Sequence, residues 1–516
     1  MTQKIRDILF LVAFLAVVAS NVFISRYAFQ NGNSRLLYVP IDSQGLVCGV
    51  DYTDRPVLFF PNPSDFSNSL CIFSCPEVEG TEDWGYDGHP LDLYPTRNVF
   101  GRYFVHKSLT GIQGSSSTLL YTAALSLFIS FIFLILLRFF APLLVYLSLT
   151  LVFLLGLFFS IKLSYDASRN SATSEQTYSS YFAWAALAVY LLVLFFLRKS
   201  IRLSVSVIKE ASHALSNLPS LCIAPLLAFS LVLITVYFGI HSVANLYSTG
   251  EFSYEDGKRS FEFDFKQQYI LSYHLFFFIW LIFLTFAVFT AAVASVVSDW
   301  YNGHPIASFA WFARLGRVSV FNLGSLAIGA LLLALLAPLR FFAKILMSRL
   351  HPMGLQGRNG FLSRAVFCVL KMVEKIVKFL NRYIYVLIGI GNFSFGEAAS
   401  KALSLLLANL KRSTVLTFLT DFVLLLIKLS VGVFYAGIVM ISVDDDSLSG
   451  HEAVVIVSFI LGFLIASLVT FVFSVIIETV FMSFLLEEEA SQFVLSQRST
   501  HFKEVLNEIQ PSAPVM

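Results

Sequence analysis

Long apolar runs recur along this chain, and they constrain its fold more than any other feature. The stretches 7–24, 221–243, 268–297, 414–443 and 454–484 are each long enough to cross the hydrocarbon core of a bilayer as a helix. A water-soluble fold of 516 residues needs more polar surface than a chain that is 57% apolar and 13% charged can supply. The mean hydropathy of +0.76 points the same way. Backbone polar groups inside lipid must be satisfied within the segment itself, so the expected fold is all-α: a polytopic membrane bundle of about ten transmembrane helices.

The segments order as follows. Residues 1–25 form a cytosolic N-terminus and first helix, with Lys4 and Arg6 ahead of the apolar run favouring the cytosol. No small-residue cleavage site follows, so the first helix is expected to be retained. Residues 26–117 are rich in Pro, Gly, Asn and Asp and read as one long extracellular loop, with a short strand expected at 57–60. The bundle occupies 118–486 and opens with a helical hairpin, 118–137 and 139–161, turning near Arg138 and Pro142. Two amphipathic stretches within it, 198–217 and 361–380, have the pattern of helices lying in the membrane interface. Residues 487–516 are a cytosolic tail. Of the five cysteines, Cys48, Cys71 and Cys75 fall in the extracellular loop, where an oxidising exterior permits one disulfide and leaves one thiol over.

Ten full crossings produce a conflict. If 318–338 and 383–409 both span, the stretch 340–382, with nine Lys or Arg and one acid, lies outside, against the positive-inside bias. A broken or re-entrant segment resolves this, and glycines 389, 391 and 396 favour a break in the second of the two. The sequon at Asn392 falls in that same apolar region, beyond the reach of glycosylation.

Several stretches, in order, resemble the choline transporter-like family of solute carriers. They are GLVCGVDYTDRPVLFFPNPSDF with LCIFSCP in the loop, LRKSIRLSVSVIKEASHALSNLPSLCIAP, SYHLFFFIWLIFLTF with DWY, RVSVFNLGSLAIGALLLALLAPLR, and KFLNRYIYVLIGIGNFSFGEAASKALSLLLANLKR with TDFVLLLIK. The resemblance covers most of the chain. It implies a plasma-membrane transporter of choline or a related organic cation or amine, such as ethanolamine, acting as a facilitative uniporter or a proton-coupled exchanger. The alternative is a non-transporting lipid-handling or scaffold membrane protein.

Choline is a quaternary ammonium with no N–H to donate, so its site must rely on aromatic faces. Tyr273, Phe277 and Trp280, spaced i, i+4, i+7, share one helix face and are candidate substrate-binding residues together with Trp184. With 54 Phe in the chain, a single ring is as much at home against lipid, so the shared face is the signal. Charges inside an apolar helix cost at least about 2.5–3.5 kcal/mol at mid-bilayer and need a reason, which makes Glu397 and Asp421 candidates to attract the cation. Glu397 and Lys401 at i, i+4 could instead neutralise each other, whereas Asp421 and Lys428 stand two turns apart. No nucleotide-binding glycine loop, metal-spaced His/Cys cluster or acyl-transfer motif occurs, so no enzyme activity, cofactor, metal or nucleic-acid partner is expected.

Overall fold

The computed structural model describes residues 5–37, most of 42–59, 70–73, 116–168, 174–255, 258–307, 309–350, 359–442 and 451–490. Helices dominate: α1 (Ile8–Asn31), α2 (Ser116–Ala167), α3 (Ser174–Asn217), α4 (Ala224–Tyr247), α5 (Phe265–Tyr301), α6 (Ala310–Phe321), α7 (Leu323–Leu350), α8 (Asn359–Gly391), α9 (Phe395–Ala408), α10 (Leu410–Ser442) and α11 (His451–Ala490). Seven of the described helices are long and apolar enough to cross a membrane. An eighth is added if α6 and the first half of α7, bent by 82° at Asn322, form one broken span. The all-α polytopic architecture is therefore as expected, with seven or eight candidate spans among the described residues against the ten expected.

Two local features depart from the expected path of the chain. The hairpin expected near Arg138 and Pro142 is absent, because the helical backbone of α2 runs through both residues. A lone proline removes one helical hydrogen bond, and no Gly or Asn stands there to take up the positive φ that a tight turn requires. The segment 383–409 is divided between α8 and α9 by Asn392–Ser394, with Asn392 at φ 52°. The other segment in the topology conflict is also broken, at Asn322.

α5 is the spine of the bundle. From Ala287 to Ser298 nearly every residue is buried, and most are Ala, Ser or Val. Small side chains let neighbouring helices approach closely where no hydrophobic effect drives them together. At Gly389 of α8 the approach is so close that an added methyl would overlap the Ala291 carbonyl oxygen. The small-residue stretch of α7 is central too, with Leu326, Ala327, Ala330 and Ala334 buried. By contrast Leu9, Phe23 and Phe182 stand exposed on the outside of the bundle, as lipid-facing residues do.

The two stretches expected in the interface behave differently. Residues 198–217 continue α3 as one helix, and Ile201, Val207, Ile208, Ala211 and Leu215 pack into the core. Their apolar stripe therefore meets protein. Residues 361–380 lie within α8, and there Val369, Val373 and Ile376 remain exposed.

Outside the helices, β1 (Val57–Phe59) pairs antiparallel with β2 (Leu70–Ile72) where a short strand was expected. Cys71 of β2 is disulfide-bonded to Cys48, which leaves Cys75, outside the described residues, as the third loop cysteine. The acidic loop after α4 forms the hairpin β3 (Glu251–Glu255) and β4 (Lys258–Glu262). The bridge closes a loop of 23 residues, so its removal should cost the loop about 3 kcal/mol. A Cys48→Ser protein should show faster limited proteolysis between β1 and β2 while the helical circular dichroism stays constant.

Candidate functional site

A cavity of about 320 Å³ opens between α1, α5 and α7. That size falls in the range of small-molecule sites, about 300–1,000 Å³. α5 contributes Tyr273, Phe276, Phe277 and Trp280; α1 contributes Phe10, Ala13, Phe14 and Val17; α7 contributes Ala327 and Leu331. Three of the four aromatic residues singled out in the sequence therefore meet in one cavity.

Each ring is held by a neighbour. The Trp280 indole N–H donates to the Ala327 carbonyl at 3.0 Å, tying α5 to α7. Phe14 meets the Trp280 ring edge-to-face at 5.2 Å. The Tyr273 hydroxyl lies 2.7 Å from Ser20 Oγ of α1. Next to Tyr273, His274 is fully buried, with Nδ1 2.9 Å from Asn21 Oδ1 and Nε2 2.8 Å from Ser242 Oγ. This polar set joins α1, α4 and α5 through hydrogen bonds across helices.

Phe10, Phe14 and Val17 were missed by sequence reasoning. Their spacing, i, i+4, i+7, repeats that of Tyr273, Phe277 and Trp280 on the facing helix. The signal was present but indistinct, since α1 is apolar on every side.

Beneath the cavity, consecutive residues Arg6 and Asp7 fasten both helix breaks. Asp7 stands at the start of α1 with φ 50°, yet its carboxylate does not cap its own helix. Its Oδ2 accepts from Ser325 Oγ in the first turn of α7 at 2.6 Å and from the Phe395 N–H that opens α9 at 2.8 Å. Carboxylates are stabilising at helix N-termini, where unpaired N–H groups and the helix dipole present positive charge. Arg6 does the complementary work at C-termini: its backbone N–H donates to Phe321 O of α6, and its Nε donates to Asn392 O just beyond α8. Asn322 Nδ2 donates to Asn392 Oδ1 at 2.6 Å, joining the two breaks directly. Gly324 makes this approach possible, because a methyl there would overlap the Asp7 carbonyl oxygen. Replacing Asp7 by Ala should remove about 2 kcal/mol of stability, read as a lower thermal midpoint in detergent. Asp7→Asn, which keeps an acceptor, should recover part of that loss.

The remaining sequence candidates lie elsewhere. Trp184 of α3 is partly exposed and donates its indole N–H to Ser164 Oγ of α2 at 2.9 Å. Glu397 closes a capping box with Ser394 at the start of α9 and is 3.8 Å from Arg6, with its side chain 54% exposed. The Ser394 backbone N–H and hydroxyl, both bonded to this carboxylate or its own N–H, hold its pKa below the ordinary range, aided by Arg6. Lys401 pairs with Glu489 at 2.6 Å instead of with Glu397. Asp421 of α10 is 3.5 Å from Arg382 of α8, whose Nε also faces Glu478 of α11 at 3.4 Å. None of Trp184, Glu397 and Asp421 lines the aromatic cavity.

Residues 181–489, well over half of the chain, match the sequence profile of the family described as plasma-membrane choline transporter. The chain belongs to this choline transporter-like family. Choline transporter-like protein 2 of Dictyostelium discoideum is 23% identical over 93% of this chain and 91% of its own length. The Xenopus laevis choline transporter-like protein 2 is 27% identical over 70% of this chain and 61% of its own. For the choline transporter-like protein 5 of Mus musculus the figures are 28%, 59% and 50%. Helices α4 to α10 and all but the last residue of α11 fall within the matched segment of this family member, whereas α1, which supplies Phe10 and Phe14, precedes it.

Proposed function

We propose that this protein carries choline, or a closely related organic cation, across the plasma membrane and binds it in the aromatic cavity between α1, α5 and α7. The observation that carries this reading is the facing pair of ring-bearing stripes, Phe10 and Phe14 opposite Tyr273, Phe277 and Trp280. A quaternary ammonium is stabilised by ring faces at about 0.5–2 kcal/mol each and requires no hydrogen-bond acceptor for its nitrogen. Membership of a choline transporter family and the names of the relatives support the same substrate class.

The termini are assigned to the cytosol. The Cys48–Cys71 bridge follows the C-terminal end of α1, and disulfides persist in oxidising surroundings, which supports an external position for that end. Arg6 and Asp7, at the other end, then face the cytosolic side together with α9.

Uptake needs no ion coupling to proceed. A monovalent cation entering down about 100 mV, negative inside, gains roughly 2.3 kcal/mol, enough for a few tens-fold accumulation. Purified protein in proteoliposomes should therefore take up radiolabelled choline saturably, and faster with an inside-negative potential. Folded protein that shows no saturable uptake under any imposed potential or pH gradient would refute the reading.

A further inference from the structure

Of the ten residues lining the cavity, only Tyr273 and Trp280 carry a polar side-chain atom, and the Trp280 N–H is committed to the Ala327 carbonyl. The direction of the remaining hydrogen bond follows from its neighbour. Ser20 Oγ donates its single proton to Val17 O at 2.8 Å within α1. With that proton on Val17, the 2.7 Å contact between Ser20 and Tyr273 is assigned to the tyrosine as donor. Tyr273 thus spends its proton on Ser20, and what it can offer a ligand is an oxygen lone pair. Carbonyls of the lining helices are engaged along their own helices, so the cavity provides one acceptor and no donor.

From this geometry we infer that Tyr273, oriented by Ser20, reads the hydroxyl of the substrate, so that the site selects a cation bearing one O–H donor and no acceptor in need of a partner. The inference rests on the aromatic cavity being the substrate site. Choline meets the requirement, with methyl groups on the ring faces and its hydroxyl donated to Tyr273. A cation whose oxygen is methylated has no proton to give. Betaine brings a carboxylate that finds only another acceptor. A primary ammonium brings three N–H donors to a wall with a single lone-pair site, which ranks ethanolamine below choline at this cavity.

The test is competition against radiolabelled choline uptake in proteoliposomes. The competitors are unlabelled choline, n-propyltrimethylammonium, in which a methyl replaces the hydroxyl, and O-methylcholine. In the unmodified protein, choline should compete about 3- to 10-fold better than the propyl compound, the worth of one net hydrogen bond. Tyr273→Phe should bring that ratio to about one. Ser20→Ala frees the tyrosine proton to point at the ligand and should raise the affinity for O-methylcholine relative to choline, a change that loss of packing would not produce. It also gives an independent reading should Tyr273→Phe fail to fold. An unchanged choline-to-propyl ratio in Tyr273→Phe, or an unchanged O-methylcholine-to-choline ratio in Ser20→Ala, overturns the inference. Trp280→Ala separates the two levels. If it raises the half-saturation for choline while Tyr273→Phe and Ser20→Ala leave their ratios unchanged, only the hydroxyl assignment fails; if it leaves choline kinetics untouched, the cavity itself is not the site.

Discussion

Trp280→Ala should raise the half-saturation concentration for choline by about ten- to thirty-fold at equal surface expression. A desolvated cation over an indole face is worth up to about 2 kcal/mol, and 1.4 kcal/mol corresponds to a decade in affinity. Trp280 is buried, meets Phe14 edge-to-face and is anchored to Ala327, so its ring is pre-organised and its loss is not easily made good by a neighbour. Maximal velocity should fall less than affinity, because the residue holds the cation and carries no charge of its own. Trp280→Phe keeps a ring without the Ala327 bond and should lie between the two. Choline kinetics indistinguishable from those of the unmodified protein would remove Trp280 from the site.

The second large effect concerns stability. Arg382 faces Asp421 and Glu478, and the two acids differ in burial: the side chain of Asp421 is 55% exposed and that of Glu478 only 9%. Losing one partner of a buried ion pair strands the other charge, which costs about 3–5 kcal/mol, whereas a solvent-screened pair is worth about 0–1 kcal/mol. Since Arg382 is itself partly exposed, Arg382→Met should destabilise by an amount near the lower of those bounds, about 3 kcal/mol. Asp421→Asn should change little. Neutralising the stranded acid in the double variant Arg382→Met with Glu478→Gln should recover at least half of the loss. Thermal unfolding in detergent followed by size-exclusion recovery would measure all three. A double variant no more stable than Arg382→Met would show that Glu478 does not depend on the arginine.

These two predictions also show where sequence reasoning reaches. Tyr273, Phe277 and Trp280 could be grouped because the helical period is local, and it placed them on one face before any fold was known. The opposing stripe on α1 has the same period, but a helix apolar on every side gives no indication of which face turns inward. Asp421 could be compared only with charges on its own helix, and Lys428 stood too far away. Its partner, Arg382, is 39 residues upstream on another helix, a distance at which spacing rules are silent. The stripe at 198–217 was legible as amphipathic, but an amphipathic face needs only a less polar neighbour, and here that neighbour is the core of the bundle. The glycines of α8 and α9 pointed correctly to a break, while the matching break at Asn322 left a weaker trace because a single asparagine carries it.

The fastening of both helix breaks by Arg6 and Asp7 has a consequence for how the chain is made. Arg6 bonds a residue 386 positions later, and Asp7 one 388 positions later. At roughly 5–20 residues per second, translation takes on the order of twenty seconds to over a minute to supply those partners. During that interval the base of the first helix can meet Phe321 and Ser325 as α6 and α7 appear, but the Arg6 Nε, the second Asp7 bond and the Asn322 amide still wait for Asn392 and Phe395. Chains truncated before residue 392 should therefore insert with the base of the first helix only partly fastened and accessible to chaperones and to quality control, and the joining of the two helix breaks becomes a checkpoint late in biogenesis.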